Sequence, residues 1–134
     1  MKINVNWLGE GFQFEGLNDK GGKVRMDGSD FDNGLSPMQL LLAGIGGCSA
    51  IAVVSILEKQ KQPFKSISVE VDGDKQSAGT YSEFKTIHMH FTFTGDLDPN
   101  KVQKALDLSI QKYCSVSKAL EKTSEISYDF EIIG

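Results

Sequence analysis

Hydrophobic and polar residues alternate with a period of two over the first part of the chain. Ile3, Val5 and Trp7 alternate with Lys2, Asn4 and Asn6. After Gly9-Glu10-Gly11, Phe12 and Phe14 alternate with Gln13 and Glu15, and after Gly21-Gly22, Val24 and Met26 alternate with Lys23 and Arg25. A two-residue period puts one set of side chains on each face of a strand, so the pattern predicts a three-stranded meander. The same period returns beyond Pro63 in "SISVEVD" and "KTIHMHFTF", which predicts burial of Ile67, Val69 and Val71, then of Ile87, Met89, Phe91 and Phe93. The polar "GDKQSAGTYSE" between them reads as a hairpin loop. "EISYDFEII" adds a last strand with Ile126, Tyr128, Phe130 and Ile132 on one face.

Between the two groups of strands the alternation stops. "SPMQLLLAGIGGCSAIAVVSIL", Ser36 to Leu57, holds no charged residue. Ser36 can cap free amides, Pro37 suits the first helical position, and Gln39 completes an S-x-x-Q box. A helix running from here to about Lys59 would be about 36 Å long. It is apolar on every side and needs burial on every side, which a chain of this size cannot supply alone, so a second subunit is expected to cover it. Leu40 to Leu57, 18 uncharged residues, reaches the length of a spanning helix. Gly44, Gly46, Gly47, Ser49 and Ser55 dilute it, and strands of a soluble protein flank it, so no membrane partner is expected. A second helix starts at Asp98-Pro99 and carries Val102, Ala105, Leu106 and Tyr113 at helical spacing, with one wet face. Cys114 follows where this helix gives way to "SVSKALEK", a helical turn that Ser115 or Ser117 can cap. The whole of 1–134 reads as a single α+β domain.

Composition narrows the chemistry. The chain has 134 residues, a formal net charge of -4 and a pI near 5.1, with no broad basic footprint for a phosphate backbone, so nucleic acid is not expected as a partner. "MKINVNWLGEGF" lacks the apolar run of a signal peptide, which predicts a cytoplasmic protein whose two cysteines are thiols at rest. His88 and His90 lie two apart on a strand and project from one face. No third ligand is evident beside them, and Thr86 and Thr92 share that face, so a polar outer surface is expected rather than a metal site. There is no G-x-S-x-G, no phosphate-cradling glycine loop and no C-x-x-C, and no cofactor is expected.

The cysteines carry what chemistry remains. Each can be read as a small buried hydrophobe or as a reactive thiol. Gly46-Gly47 before Cys48 remove side-chain bulk at about 1 kcal/mol of helix propensity per glycine, which predicts open space beside the sulfur. Cys114 stands at the start of a helical turn, where free amides favour a thiolate. Spacing alone does not say whether the two sulfurs meet.

"SPMQLLLAGIGGCSAIAVVSIL", followed 66 residues after its cysteine by "YCSVSKALEK", resembles the OsmC/Ohr family of osmotically inducible and organic-hydroperoxide-resistance proteins, in particular its short OsmC-like branch. The resemblance implies an OsmC-like α+β fold, with antiparallel sheets wrapped around a long central helix, in an intertwined homodimer. It also implies thiol-dependent reduction of organic hydroperoxides, with Cys48 as the peroxidatic thiolate, Cys114 as the resolving thiol and an external dithiol as reductant. "VRMDG" is similar to the family's arginine segment and nominates Arg25, the only arginine in the chain. The glutamate that anchors this arginine in the family is replaced here by Met38. Asp27, Asp30 or Asp32 could take its place, while a more apolar pocket would raise the thiol pKa. A lining of Met38, Leu41 and Ile45 would favour organic peroxides. The alternative keeps the fold and drops the turnover, leaving a redox-sensing or small apolar ligand-binding protein.

Overall fold

The computed structural model describes residues 1–29 and 33–134, so Asp30 and Asp32 lie outside the described residues. It forms two compact units, Met1–Leu41 and Leu42–Gly134.

The first unit holds the meander β1 (Asn4–Trp7), β2 (Gln13–Leu17) and β3 (Lys23–Asp27), antiparallel throughout in the order β1-β2-β3. Phe14 faces Met26 and Glu15 faces Arg25 across the β2–β3 ladder. The chain returns to β3 through Gly34: the Leu35 amide donates to the Arg25 carbonyl, and a Cβ on Gly34 would stand 2.6 Å from that oxygen. Only a residue without a side chain permits so close an approach.

Helix α1 (Pro37–Lys59) begins in this unit and runs into the second. Its start is the predicted capping box, in which the Gln39 amide donates to Ser36 Oγ at 3.1 Å and the Ser36 amide to Gln39 Oε1 at 2.9 Å. By length and composition α1 could cross a membrane. Within its own chain it buries one stripe, Ile45, Gly46, Ser49, Val53 and Leu57, at the i, i+4 spacing of one face. Burial on every side is not achieved by the single chain, since Ile51 remains 73% exposed and Leu41 42%.

The second unit's sheet has the order β4-β5-β6: β4 (Phe64–Ala78), β5 (Tyr81–Gly95) and β6 (Glu125–Ile133). Ile87, Met89, Phe91 and Phe93 are fully buried on its inner face, as their alternation predicts. Two features depart from expectation. The polar stretch predicted as a loop is a strand pair that runs on to a two-residue turn at Gly79-Thr80, with Ala78 facing Tyr81. Gly79, at φ +81°, takes the first central position, the type II′ pattern that matches strand twist. The expected antiparallel pairing holds for β4–β5, but β6 runs parallel to β5, with Ile87 facing Ile126 and Phe91 facing Phe130. Parallel neighbours need a crossover, and α2 (Pro99–Leu108), a π-helical turn (Ser109–Tyr113) and α3 (Ser115–Leu120) supply it.

Helix α2 is capped by Asp98, which accepts from the Asn100 amide at 2.9 Å. Val102, Ala105 and Leu106 are buried as predicted, but Tyr113 is 55% exposed. The π-helical turn advances the buried face by one residue, so Ile110 and Cys114 point inward instead.

Candidate active site

Cys48 lies half-buried in the middle of α1, and Cys114 is fully buried at the junction of the π-helical turn and α3. Both are free thiols. The fold brings them close enough for each thiol to act on the pKa of the other. The glycines before Cys48 have different reasons. A Cβ on Gly46 would stand 2.9 Å from Val71 Cγ2, so this glycine seats α1 closely on β4. Gly47 alone has the open space expected of the pair, with nothing within 4 Å of its Cβ position.

Cys114 is itself the N-cap of α3. Its Sγ accepts from the Ser117 amide at 3.3 Å, taking the role expected of Ser115 or Ser117. It also accepts from Ser49 Oγ at 3.3 Å. Ser49 is fully buried, and its carbonyl is held by Ser109 Oγ at 2.7 Å. The remaining free amides at this helix start do not serve Cys114, as its sequence position predicts, but Cys48. The Val116 amide is the strongest influence lowering the Cys48 pKa below the ordinary thiol value; the Cys114 thiol and the Ser115 amide add to it against the opposing effect of burial. Cys114 moves the other way. Burial pushes it up, the hydrogen bonds from Ser49 and Ser117 only partly offset this, and its neighbour Cys48 raises it further. The apolar setting predicted to raise the first cysteine's pKa therefore raises the second one's.

Arg25 is exposed on β3 and donates through Nη2 to Gln13 Oε1 at 3.2 Å, a neutral partner on the neighbouring strand. Asp27 is fully buried and accepts from the amide and hydroxyl of Ser29 at 2.9 and 2.7 Å and from Asn33 Nδ2 at 3.3 Å. Ile45, expected to line the peroxide pocket, is fully buried, whereas Leu41 is exposed and Met38 half-buried.

His88 and His90 occupy the outer face of β5, as expected. His90 Nδ1 lies 2.6 Å from Asp129 Oδ1 and His88 Nε2 3.2 Å from the same oxygen, while His88 Nδ1 meets Ser127 Oγ at 2.7 Å. Glu70 and Asp72 of β4 face His90 and His88 from the other side. Among the described residues no group of three or more His, Cys, Asp or Glu has the arrangement of a metal site. The residues missed by sequence reasoning are Ser49 and the 115–116 amides. Their only signal was adjacency, Ser49 following Cys48 and the two amides following Cys114.

A long apolar helix seated on a mixed sheet, with one thiol at its middle and a second delivered by the crossover, defines a dithiol protein of one particular architecture. The family model for OsmC-like protein matches residues 28–129, and the chain belongs to that family, as its cysteine segments predicted. It is 40% identical over 135 residues to Protein YhfA of Escherichia coli K12, a match that covers 100% of this chain and 99% of that protein. A crystal structure of a hypothetical protein from Aquifex aeolicus is 25% identical with a TM-score of 0.82, covering 99% of this chain and 97% of that one. The organic hydroperoxide resistance protein OhrB of Bacillus subtilis shares the fold at 18% identity, with a TM-score of 0.69 and coverage of 97% and 96%.

Proposed function

We propose that the chain is a thiol-dependent peroxidase that reduces organic hydroperoxides through Cys48 and Cys114. The supporting observation is the opposite displacement of the two thiols: the Val116 and Ser115 amides and the Cys114 thiol stabilise charge on Cys48, while burial keeps Cys114 protonated. The thiolate is the nucleophile in such chemistry. Cys48 attacks one peroxide oxygen, forming an S–O bond as the O–O bond breaks, and the departing alkoxide takes up a proton and leaves as alcohol. Cys48 is then a sulfenic acid, which Cys114 converts to a disulfide with loss of water. An external dithiol returns both to thiols by exchange. Arg25 assists the first step in this proposal by drawing the peroxide toward its positive charge. The name of the Bacillus subtilis relative, a protein of organic hydroperoxide resistance, accords with this assignment.

The working species is a homodimer in the cytoplasm. Unsatisfied apolar surface supports it, since Ile51 on α1 and Ile3, Val5, Trp7 and Phe12 of the first unit are all more than half exposed. Sedimentation at micromolar concentration should show a dimer, and a stable monomer of about 15 kDa would remove this part of the proposal.

A second reading has one observation in its favour. The first unit contains an apolar pocket of about 450 Å³ lined by Val5, Phe12, Phe14, Met26, Gly28 and Pro37. In this alternative the pocket holds a small apolar ligand, and the cysteines take no part in peroxide reduction. Intact mass after one equivalent of cumene hydroperoxide separates the two. Loss of two hydrogens, abolished in Cys48→Ser, supports the peroxidase; an unchanged mass supports the binding protein.

A further inference from the structure

Ser49 has no part in the chemistry described so far, yet its hydroxyl ties the two cysteine-bearing segments together at the second sulfur. It follows Cys48 on α1, is fully buried, and donates its hydroxyl across to Cys114 Sγ, which also receives the Ser117 amide. A thiol has one proton and a weak acceptor sulfur. With two donors directed at that sulfur, the S–H of Cys114 remains available to Cys48, whose pKa the Cys114 thiol helps to lower. Without the hydroxyl, the sulfur keeps one donor and is less restrained about Cα–Cβ.

We propose that Ser49 is a positioning residue for closure of the Cys48–Cys114 disulfide, holding Cys114 Sγ against Cys48 and stabilising the charge that develops on it. The proposal rests on the dithiol chemistry above. Closure follows oxidation of Cys48 to the sulfenic acid. Cys114 gives up its proton and its sulfur attacks the Cys48 sulfur; an S–S bond forms, the S–O bond breaks, and the leaving hydroxide takes up a proton to become water. Negative charge grows on a buried sulfur in this step, where a hydroxyl donor counts most. The Val116 amide, the largest influence lowering the Cys48 pKa, is not among the hydrogen-bond partners of the Ser49 hydroxyl.

The test follows sulfenic acid, trapped with dimedone, and disulfide separately in stopped-flow experiments on Ser49→Ala, Ser49→Thr and Ser124→Ala. Ser124 is a buried serine bonded to the Phe84 carbonyl, so its loss mimics the removal of a buried hydroxyl without touching sulfur. Ser49→Ala should form sulfenic acid at close to the wild-type rate and close the disulfide about tenfold more slowly, with the pH profile of closure moved to higher pH. Ser49→Thr, which keeps the hydroxyl, should restore the profile, and Ser124→Ala should retain it. Closure in Ser49→Ala with the wild-type rate and profile overturns the proposal. A parallel series with diamide, whose Cys48 adduct is displaced as hydrazine by the same attack of Cys114, does not depend on peroxide. Ser49-dependent closure with diamide but no reaction with peroxide would sink the peroxidase and keep the role of Ser49; no disulfide with either oxidant would sink both. Should Ser49→Ala not fold, the near-isosteric pair Ser49→Thr and Ser49→Val decides in the same assay. Slower closure in Ser49→Val than in Ser49→Thr supports the proposal, and equal closure overturns it.

Discussion

Gly46→Ala tests whether α1 is seated on β4 by the absence of one side chain. The new Cβ would stand 2.9 Å from Val71 Cγ2 and 4.0 Å from Val69 Cγ1. Carbon atoms prefer about 3.5–4.0 Å, so α1 or β4 must move by roughly 0.5–1 Å. Val71 is branched at Cβ and cannot swing the clashing methyl aside through a more distal bond. Overpacking of this kind costs about 1–3 kcal/mol, and replacing a helical glycine by alanine returns about 1 kcal/mol, so the net loss should be about 0–2 kcal/mol. Gly47 is the control next door: with nothing within 4 Å, Gly47→Ala should be neutral or gain up to about 1 kcal/mol. Urea unfolding of both variants at one protomer concentration reads the difference as a shift in midpoint at constant slope. A second readout is the pH dependence of Cys48 alkylation, which should shift in Gly46→Ala, where α1 must move relative to the amides of α3, and stay in place in Gly47→Ala. Equal stability of the two variants would show that the close approach of α1 to Val71 carries no energetic weight and would refute the reasoning.

Arg25→Ala should slow peroxide oxidation of Cys48 severalfold while leaving the pH profile of Cys48 alkylation in place, because the amides that acidify the thiol are untouched; an unchanged oxidation rate would return Arg25 to an ordinary strand position. Replacing both His88 and His90 by Gln should leave the thiol chemistry as it was, and zinc bound stoichiometrically by the wild type but not by this variant would overturn the polar-face assignment. One of these two, His90, should mark stability against pH. His90 is raised above its ordinary value of 6.5, chiefly by its hydrogen bond to Asp129, so its contribution is complete below 6.5 and is lost as pH rises through the folded-state value. Asp129 is lowered below 3.8, chiefly by His90, so its share is present above 3.8 and is lost as pH falls through the folded-state value. The melting temperature of the wild type relative to His90→Gln should therefore be highest between pH 4 and 6.5 and converge toward that of the variant above, and a difference that does not change with pH would refute the pairing. Tyr128 donates to Asp107 at 2.7 Å and accepts from Gln111 at 2.9 Å, with burial foremost in raising its pKa to about 12. Tyr128→Phe should lower stability by about 1–2 kcal/mol in urea titrations, and no loss would mean that water replaces both bonds at no cost.

The parts of the fold legible in the sequence are those decided by neighbours along the chain. The Ser36–Gln39 box, the Asp98 cap and the buried alternation from Ile87 to Phe93 each need only a few consecutive residues. The outer half of the β4–β5 hairpin was not legible, because Lys75, Gln76 and Ser77 present no apolar face and pair only because the ladder below them extends outward to Gly79. Alternation in β6 told which side chains face inward but not the direction of the strand, which depends on where the crossover delivers it. Both cysteines could be picked out as candidates for chemistry. Which of them the α3 amides would serve could not, because that depends on how α1 lies against a turn 66 residues further along the chain.

The acidity of Cys48 is assembled from residues 115 and 116, and this gives it a history. On a ribosome adding about 5–20 residues per second, Cys48 is made roughly 3–13 s before the segment whose amides will stabilise its charge. Throughout that interval, and in any chain that has failed to place its crossover, Cys48 is an ordinary thiol with the modest reactivity of one. The thiolate character of Cys48 is thus a late product of folding, acquired only when the crossover is in place and missing from the nascent or misfolded chain.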